Sequence, residues 1–135
     1  MIKIPCINIL GLSLLCRFRH TGDIIDLDHA ITAHQDVVLL TPEGHTGKAR
    51  YLYNLGTSFA HCYKCTHNCV DFETAISQFQ LSASSFAGDP VYPYLAACKW
   101  ARLALEDNSM ASLDGYDAAI NFIPRVAWLG HTISA

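Results

Sequence analysis

Apolar residues recur at helical spacing along most of the chain. In the middle of the sequence they form two successive stripes with intervals of three and four residues, the first at Leu52, Leu55, Phe59 and Tyr63 and the second at Phe72, Ala75, Ile76, Phe79 and Ala83. This spacing is typical of helices with one buried face. No segment of the sequence alternates apolar and polar residues as a half-buried strand does. The pattern therefore predicts an all-α protein.

Short polar or proline-containing segments separate the predicted helices. Gly22 and Asp23 end one helix and begin the next, and either Asn68 or Asp71 would cap the helix that carries the second stripe. Three further segments have the composition of turns, namely 41–45 (TPEGH), 86–93 (FAGDPVYP) and 106–109 (EDNS). The chain is thus predicted to consist of helix pairs joined by turns.

Chemically similar residues recur at a fixed interval of 45 positions. The matched pairs are Leu10-Gly11 with Leu55-Gly56, Phe18 with Tyr63, Asp26-Leu27-Asp28 with Asp71-Phe72-Glu73, and Ala30-Ile31 with Ala75-Ile76. Ala119-Ile120 follows the last of these after 44 positions and marks a third, more divergent copy. We therefore predict one domain, 1–135, of about three helix-turn-helix units, at 1–44, 45–89 and 90–135. Since one unit cannot bury its own apolar faces, we expect the units to stack as an α-α superhelix.

The matched positions resemble the tetratricopeptide repeat. Its motif W-x2-L-G-x2-Y…A-x3-F corresponds to Leu52-x2-Leu55-Gly56-x2-Phe59 followed by Ala75-x3-Phe79, and in the first unit to Ile7-x2-Leu10-Gly11-x2-Leu14 followed by Ala30 and His34. The resemblance implies that the two helices of a unit approach closely at Gly11 and Gly56, with the small residues Ala30 and Ala75 facing them. The usual period is about 34 residues, so longer helices or a longer internal turn are expected here.

The longer period is similar to that of tetratricopeptide arrays in fungal proteins that also carry a CHAT domain, a caspase-like protease module. The shared fragments are GDIIDLDHAI (22–31), LTPEGH (40–45), KWARLA (99–104) and PRVAWLG (124–130), and the resemblance covers about residues 8–135. In such proteins the last fragment lies near the end of the array, before the protease module. The resemblance therefore implies a short or truncated member, or an incomplete gene model, without the catalytic residues of that module.

Composition narrows the possible function classes. The chain has 135 residues, of which 51% are hydrophobic and 16% charged, which suffices for a core without cross-links. The net charge is −3 and the basic residues Arg17, Arg19 and Lys64 are scattered, which argues against a nucleic-acid surface. The apolar stretch at 1–16 is too short to cross a bilayer and lacks a signal-peptide cleavage site. We expect a cytoplasmic protein with six free thiols and without membrane or nucleic-acid partners.

The densest group of reactive side chains lies at residues 61–69 (HCYKCTHNC). The potential zinc ligands in this segment are Cys62, Cys65, His67 and Cys69. Structural zinc usually joins two separated pairs of ligands, however, and four ligands within eight residues would strain the backbone. In the repeat, the segment aligns with 16–24, the turn inside the first unit. We favour a turn without metal, in which Cys69 packs as a small apolar residue in place of Ile24, and we keep zinc binding as the alternative.

Other candidate chemistry is weaker. The sequence contains no nucleophile elbow, phosphate-binding loop or dinucleotide fingerprint. His29 and His34 are five residues apart and do not share a helix face, so we interpret both as solvated or partly packed helix residues. Asp23, Asp26 and Asp28 lie at a helix start, where negative charge is favourable. We therefore expect neither enzymatic activity nor a cofactor.

Arrays of helix pairs bind peptides or protein segments in a groove that is lined by the first helix of each unit. The tetratricopeptide register gives as candidate groove residues Arg50, Tyr53, Thr57 and His61 in unit two, Cys98, Arg102 and Glu106 in unit three, and Asn8, Leu12 and Leu15 in unit one. Arg50 and Arg102 would suit an acidic or carboxylate-ended partner. The favoured function is a non-catalytic protein–protein interaction or scaffold module.

Two alternative functions stay open at this point. The chain could be the regulatory array of a CHAT-type protease whose catalytic domain is missing from it, or a small zinc-binding protein that uses residues 61–69. We also expect possible self-association through the ends of the array, because no polar capping helix is evident in the sequence.

Overall fold

The structure, a computed structural model, describes residues 3–106, 115 and 117–121. These residues form helices joined by turns, and no strand occurs among them, which confirms the all-α prediction for this part of the chain. The helices are α1 (Ile4–Thr21), α2 (Ile24–Leu40), α3 (Lys48–Thr66), α4 (Cys69–Ala83) and α5 (Val91–Glu106). Residues 117–121 are also helical.

The turns lie where the sequence places them. Residues 41–45 fall between α2 and α3, and α5 begins within the predicted turn at 86–93. One prediction for the third unit, the completion of the turn at 106–109 after Glu106, lies outside the described residues.

The turn between α1 and α2 is built in the same way as the turn between α3 and α4. Within each pair, the turn between the two helices contains one residue in the left-handed region of backbone conformation, Gly22 at φ 75° and His67 at φ 55°. The next residue then caps the following helix, since a side-chain oxygen of Asp23 or Asn68 accepts a hydrogen bond from the backbone N–H two residues later, at 3.0 and 2.9 Å. The two turns are 45 residues apart, so the sequence repeat is also a repeat of local structure.

The two helices of each pair approach closely at a glycine. A Cβ atom added to Gly11 would lie 2.5 Å from Nε2 of His34, and a Cβ atom added to Gly56 would lie 2.7 Å from the Phe79 ring. His34 and Phe79 are themselves 45 residues apart, so both glycines have equivalent surroundings. The close approach that the resemblance implied is therefore present in both units.

The side chains that face these glycines differ from the expectation. Ala30 and Ala75 are fully buried, as expected. The atoms nearest to the glycines belong instead to the ring residues one helical turn later. Each glycine leaves space for the flat ring of His34 or Phe79. The smaller side chain of Ala30 or Ala75 would not fill that space.

Consecutive helices pack against each other along the chain, and α3 also contacts α1 and α5. The contact between α2 and α3 includes a buried lysine, since Lys48 Nζ donates to the carbonyl oxygens of Val38 and Thr41, both at 2.8 Å. Lys48 thereby satisfies carbonyl groups at the end of α2 that have no partner within the helix. The contact between α1 and α3 includes a buried hydrogen bond of 3.0 Å from Asn54 to Asn8.

The largest apolar cluster lies between α3, α4 and α5. Its buried members are Ala75, Ile76, Phe79, Ala96, Trp100, Leu103 and Ala104. Trp100, Leu103 and Ala104 share one buried face of α5. This cluster forms the support beneath the groove described below.

One apolar residue of the repeat is exposed in the first unit and buried in the second. Leu55 is 4% exposed, whereas its equivalent Leu10 is 54% exposed. Leu55 lies on a helix that has neighbours on both sides, while α1 has only α2 and α3 among the described helices. The predicted self-association through this end stays a prediction.

No helix within the described ranges is both long and apolar enough to cross a membrane.

Candidate partner-binding groove

An open groove of about 310 Å³ crosses the helices α1, α3 and α5, which are the first helices of the three predicted units. We call it the basic groove. It is lined by Arg19 of α1, by Tyr53, Thr57, Ala60, His61 and Lys64 of α3, by Phe79 of α4, and by Lys99, Arg102, Leu103 and Glu106 of α5.

Five of the seven groove residues predicted in units two and three line this one groove, namely Tyr53, Thr57, His61, Arg102 and Glu106. Arg50 does not line it. Its guanidinium carbon lies 5.8 Å from the centre of the Tyr92 ring, at a distance typical of a cation–π contact. Arg50 is therefore a cation of the same helix whose side chain is engaged elsewhere.

The groove carries four permanent cations, Arg19, Lys64, Lys99 and Arg102, and a single carboxylate, Glu106. Within the described residues none of these cations forms an ion pair, because the ion pairs found there are Arg17–Asp26 and Lys48–Glu43. Burial lowers the pKa of Lys99, and the charges of Arg102, Lys64 and Arg19 lower that pKa further. The cations thus repel one another, and the groove favours an anionic ligand.

His61 lies half-buried among these cations. Its ring makes an edge-on contact with the ring of Phe18, with 6.1 Å between the ring centres. Burial lowers the pKa of His61, and the neighbouring Lys64, Arg19 and Lys99 lower it further. The imidazole is therefore neutral at pH 7, so one of its nitrogens can donate a hydrogen bond and the other can accept one.

One part of the groove is aromatic. The ring centre of Tyr53 lies 6.0 Å from that of Phe79 and 6.2 Å from that of Tyr92. Burial raises the pKa of Tyr53, so its hydroxyl stays protonated. The Thr57 hydroxyl donates to the Tyr53 carbonyl oxygen at 2.9 Å, which leaves its oxygen lone pairs to accept. The groove thus combines a cationic side with an apolar base.

Sequence reasoning missed three of the cations, Arg19, Lys64 and Lys99. Arg19 and Lys64, which are scattered in the sequence, are brought by the fold into the same groove as Lys99. Arg19 and Lys64 are 45 residues apart and hold the same position in successive units. This recurrence was the signal that could have identified them.

The groove residues expected in the first unit are corrected by the structure. Asn8 is 2% exposed and Leu15 is 6% exposed, and neither of them lines the groove. The reason is that α3 packs over this side of α1, where Asn54 donates to Asn8. Cys98, expected in unit three, is half-buried and absent from the groove lining.

The cysteine-rich segment forms the second of the two equivalent turns. Cys62 Sγ donates to Oδ2 of Asp71 at 3.3 Å, and this pair repeats the two-fold hydrogen bond of 2.7 and 2.8 Å from Arg17 to Asp26. Burial raises the pKa of the Cys62 thiol to about 11, together with the hydrogen bond and charge of Asp71. The thiol is therefore protonated at pH 7 and donates its proton to Asp71.

The remaining potential zinc ligands do not pack as expected. Cys69 is exposed, so the expectation that it packs as a small apolar residue is wrong; the equivalent Ile24 is exposed as well. Cys65 is also exposed, and His67 is the left-handed residue of the turn. Among the described residues, no group of three or more His, Cys, Asp or Glu side chains is placed to hold a metal ion.

We predict that protein purified without chelator contains far less than one zinc per chain. Cys65→Ser is expected to leave helical content unchanged, because Cys65 is exposed and has no structural contact to lose. Mass-spectrometric metal analysis and circular dichroism check both statements. Stoichiometric zinc that disappears in Cys65→Ser, together with helical content, would establish the zinc alternative instead.

A histidine–serine pair lies between α2 and α3 but is closed to substrates. His34 Nδ1 is 2.7 Å from Ser58 Oγ, and the two residues are 1% and 0% exposed. The interpretation of His34 as solvated or partly packed is therefore wrong, while His29 is exposed as expected. Because the ring of His34 fills the space beside Gly11, this pair supports the packing of α1, α2 and α3.

Comparison with family models, curated protein sequences and solved structures gives no match. The assignment of the groove therefore depends on its own geometry and charge.

Proposed function

We propose that this chain is a non-catalytic protein–protein interaction module that binds an acidic segment of a partner protein in the basic groove. The observation that carries the proposal is the convergence of α1, α3 and α5 on one open groove with four cations and one carboxylate. A charge cluster of this kind costs folding free energy through mutual repulsion. A bound anionic segment would remove that cost.

The proposed architecture is a tetratricopeptide-like superhelix of helix pairs. Its support is the structural equivalence of the first two units, in which the turn, the close approach at a glycine and the side-chain pair across the turn all recur after 45 residues. In such arrays the first helices of successive units line a common binding surface. The helices α1, α3 and α5 hold that position here.

The groove suits an extended segment better than a single small ion. It crosses three helices, and its lining combines four cations with the aromatic rings of Tyr53 and Phe79. Acidic side chains of the segment would pair with Lys64, Lys99 and Arg102, while an apolar side chain would cover the base. Lys99 is half-buried, so its pair with the segment is screened less than the pairs of the exposed Lys64 and Arg102.

The proposal predicts that Lys99→Glu/Arg102→Glu abolishes binding. Peptides selected from a random display library against the wild-type chain should contain acidic residues. The double variant should bind them at least about 100-fold more weakly, since hydrogen bonds to charged groups contribute about 1.5–3 kcal/mol each. Isothermal titration calorimetry measures the affinities, and circular dichroism checks that the variant is folded.

Arg50→Glu is the matched control. It makes one cation-to-glutamate change, half the charge change of the double variant, on a helix that lines the groove, but its side chain lies over Tyr92 and outside the lining. Its affinity should differ from wild type by less than about threefold, as for a rim charge at moderate salt. Equal binding by wild type and the groove variant, or equal weakening by the control, would refute the basic groove as the binding surface.

A further inference from the structure

The balance of charge in the basic groove points to a ligand with more than one negative charge at one place. Arg19, Lys64, Lys99 and Arg102 reach the groove from three helices, and Glu106 is the single carboxylate that lines it. Burial lowers the pKa of Lys99, the charges of Arg102, Lys64 and Arg19 lower it further, and Glu106 opposes this shift, in keeping with their place in the same groove. A single carboxylate carries one charge and would leave most of this repulsion in place.

We propose that the basic groove recognises a phosphorylated side chain of the partner protein, with an apolar residue next to it. This inference rests on the proposed function, since it names the acidic group of the segment that the groove binds. A phosphomonoester carries a charge of about −1.5 to −2 at pH 7 and has three strong acceptor oxygens. Its tetrahedral oxygens can accept from donors on α1, α3 and α5 together, whereas a planar carboxylate presents two oxygens in one direction.

Neutral donors complete the polar side of the groove. His61 lies between Arg19, Lys64 and Lys99, and its lowered pKa keeps it neutral at pH 7, so it adds a directional N–H donor to the four charges. The Tyr53 hydroxyl adds another. Binding of a dianion would raise the pKa of His61 and recruit a further charge to the ligand.

The apolar base allows the groove to distinguish a phosphorylated peptide from a free phosphate ion. Tyr53, Ala60, Phe79 and Leu103 line the groove beside the cations, and Phe79 and Leu103 belong to the buried cluster beneath it. Inorganic phosphate would neutralise the cations and leave Tyr53 and Ala60, the half-buried members of this base, uncovered. A phosphorylated residue followed by an apolar residue would cover both parts, and the burial of the apolar side chain would add to affinity.

The extent of the groove favours a peptide over a nucleic acid. The volume is about 310 Å³, and the chain as a whole has a net charge of −3. Nucleic acids bind through rows of phosphate contacts along an extended basic surface. A single compact group of cations on an acidic chain matches one phosphate group in a protein segment.

The test uses three degenerate nine-residue peptide libraries that differ only at the central position. This position is phosphoserine, glutamate or serine. Leucine is fixed at the following position, and a fluorescent label is attached at the N-terminus. Two additional libraries carry phosphothreonine or phosphotyrosine in place of phosphoserine. Fluorescence anisotropy with the full chain measures affinity. The phosphoserine library should bind at least about tenfold more tightly than the glutamate library, because the phosphate adds charge and a third acceptor oxygen.

Two variants assign that difference to the groove. Lys99→Glu/Arg102→Glu should reduce binding of the phosphoserine library to the level of the serine library. Arg50→Glu should leave the preference for phosphoserine unchanged. Inorganic phosphate and single-stranded oligouridine, tested as competitors, should each displace the phosphopeptide at least about tenfold less effectively than the unlabelled phosphopeptide itself, since neither covers the apolar base.

The outcomes separate this inference from the function on which it rests. Equal affinity for the glutamate and phosphoserine libraries overturns the phosphate inference and leaves the acidic-segment proposal standing. Binding to none of the libraries, or equal loss in the groove variant and the control, overturns both. The assignment to a phosphorylated protein segment is overturned if inorganic phosphate displaces the labelled phosphopeptide as effectively as the unlabelled phosphopeptide does. It is also overturned if oligouridine binds more strongly than the phosphopeptide.

Discussion

Acidification from pH 7 to pH 4 should lower the free energy of unfolding through His34, and replacement of this residue by phenylalanine should remove that loss. His34 is 1% exposed, and burial lowers its pKa from 6.5 to about 4. Each unit of difference between the folded and unfolded pKa corresponds to about 1.4 kcal/mol. The expected loss is therefore about 3 kcal/mol, a large share of the stability of an ordinary domain.

The direction of the effect follows from which state binds the proton. Above pH 6.5, His34 is neutral in both states and contributes no pH dependence. Between pH 6.5 and pH 4 the unfolded chain takes up a proton that the folded chain excludes, so stability falls as the pH falls. The carboxylate of Asp26, whose pKa is lowered by Arg17, acts mainly below this window.

The matched variant comes from the repeat itself. Phe79 holds the position of His34 in the second unit and packs against Gly56 as His34 packs against Gly11. His34→Phe should therefore fit, and it also removes a buried Nε2 that has no hydrogen-bond partner among the described residues. The hydroxyl of Ser58, which loses its contact with His34, can turn to the carbonyl four residues earlier in its own helix.

Urea titrations of both proteins between pH 4 and pH 7 measure the effect. Wild type and His34→Phe should differ little at pH 7 and should diverge progressively below pH 6.5. His61, whose pKa is also lowered, titrates in both proteins and cancels in the comparison. A parallel loss of stability in the two proteins would show that His34 accommodates a proton in the folded state.

The helices and their repeat could be predicted from the sequence because local signals and long-range packing agree. The equivalence of the turns at Gly22 and His67 follows from an interval of 45 residues that the apolar stripes also obey. Even the choice of cap was open only between Asn68 and Asp71, and the structure selects Asn68 because Asp71 faces Cys62 and Thr66 instead.

The burial of His34 was missed because its residue type was given more weight than its position. A histidine on a helix is usually solvated, but this one aligns with Phe79, a core residue, in the repeat. An imidazole that does not take up a second proton is an uncharged flat ring, so it can take the place of a phenyl ring in the core. The register was therefore a better guide to burial than the chemical class of the side chain.

Only part of the groove could be predicted, because the repeat fixes the positions of only some of its residues. Tyr53, Thr57 and His61 follow from the position of the Leu55-Gly56 pair on α3. Lys99 lies 35 residues after Lys64 rather than 45, so no simple repeat of the second unit would place it in the groove. Convergence of cations from different helices depends on how the units pack, which a sequence pattern does not contain.

Replacement of Gly56 by alanine should destabilise the protein by about 1–3 kcal/mol, although alanine is normally the better helix residue by about 1 kcal/mol. The new Cβ would lie 2.7 Å from Cδ1 and Cε1 of Phe79, closer than packed carbon atoms can approach. Phe79 is 1% exposed and lies within the buried cluster, so a shift of its ring would disturb the packing of that cluster.

A double-mutant cycle assigns this loss to the contact between α3 and α4. Gly56→Ala combined with Phe79→Leu should be more stable than the sum of the two single effects, because the smaller side chain relieves the overlap. Gly11→Ala should be destabilising by a similar amount, since its Cβ would meet the His34 ring at 2.5 Å. If Gly56→Ala instead stabilised the chain in urea titrations, the close approach of α3 and α4 would be wrong. The packing of the basic groove, which depends on the position of Phe79 between these helices, would then have to be revised as well.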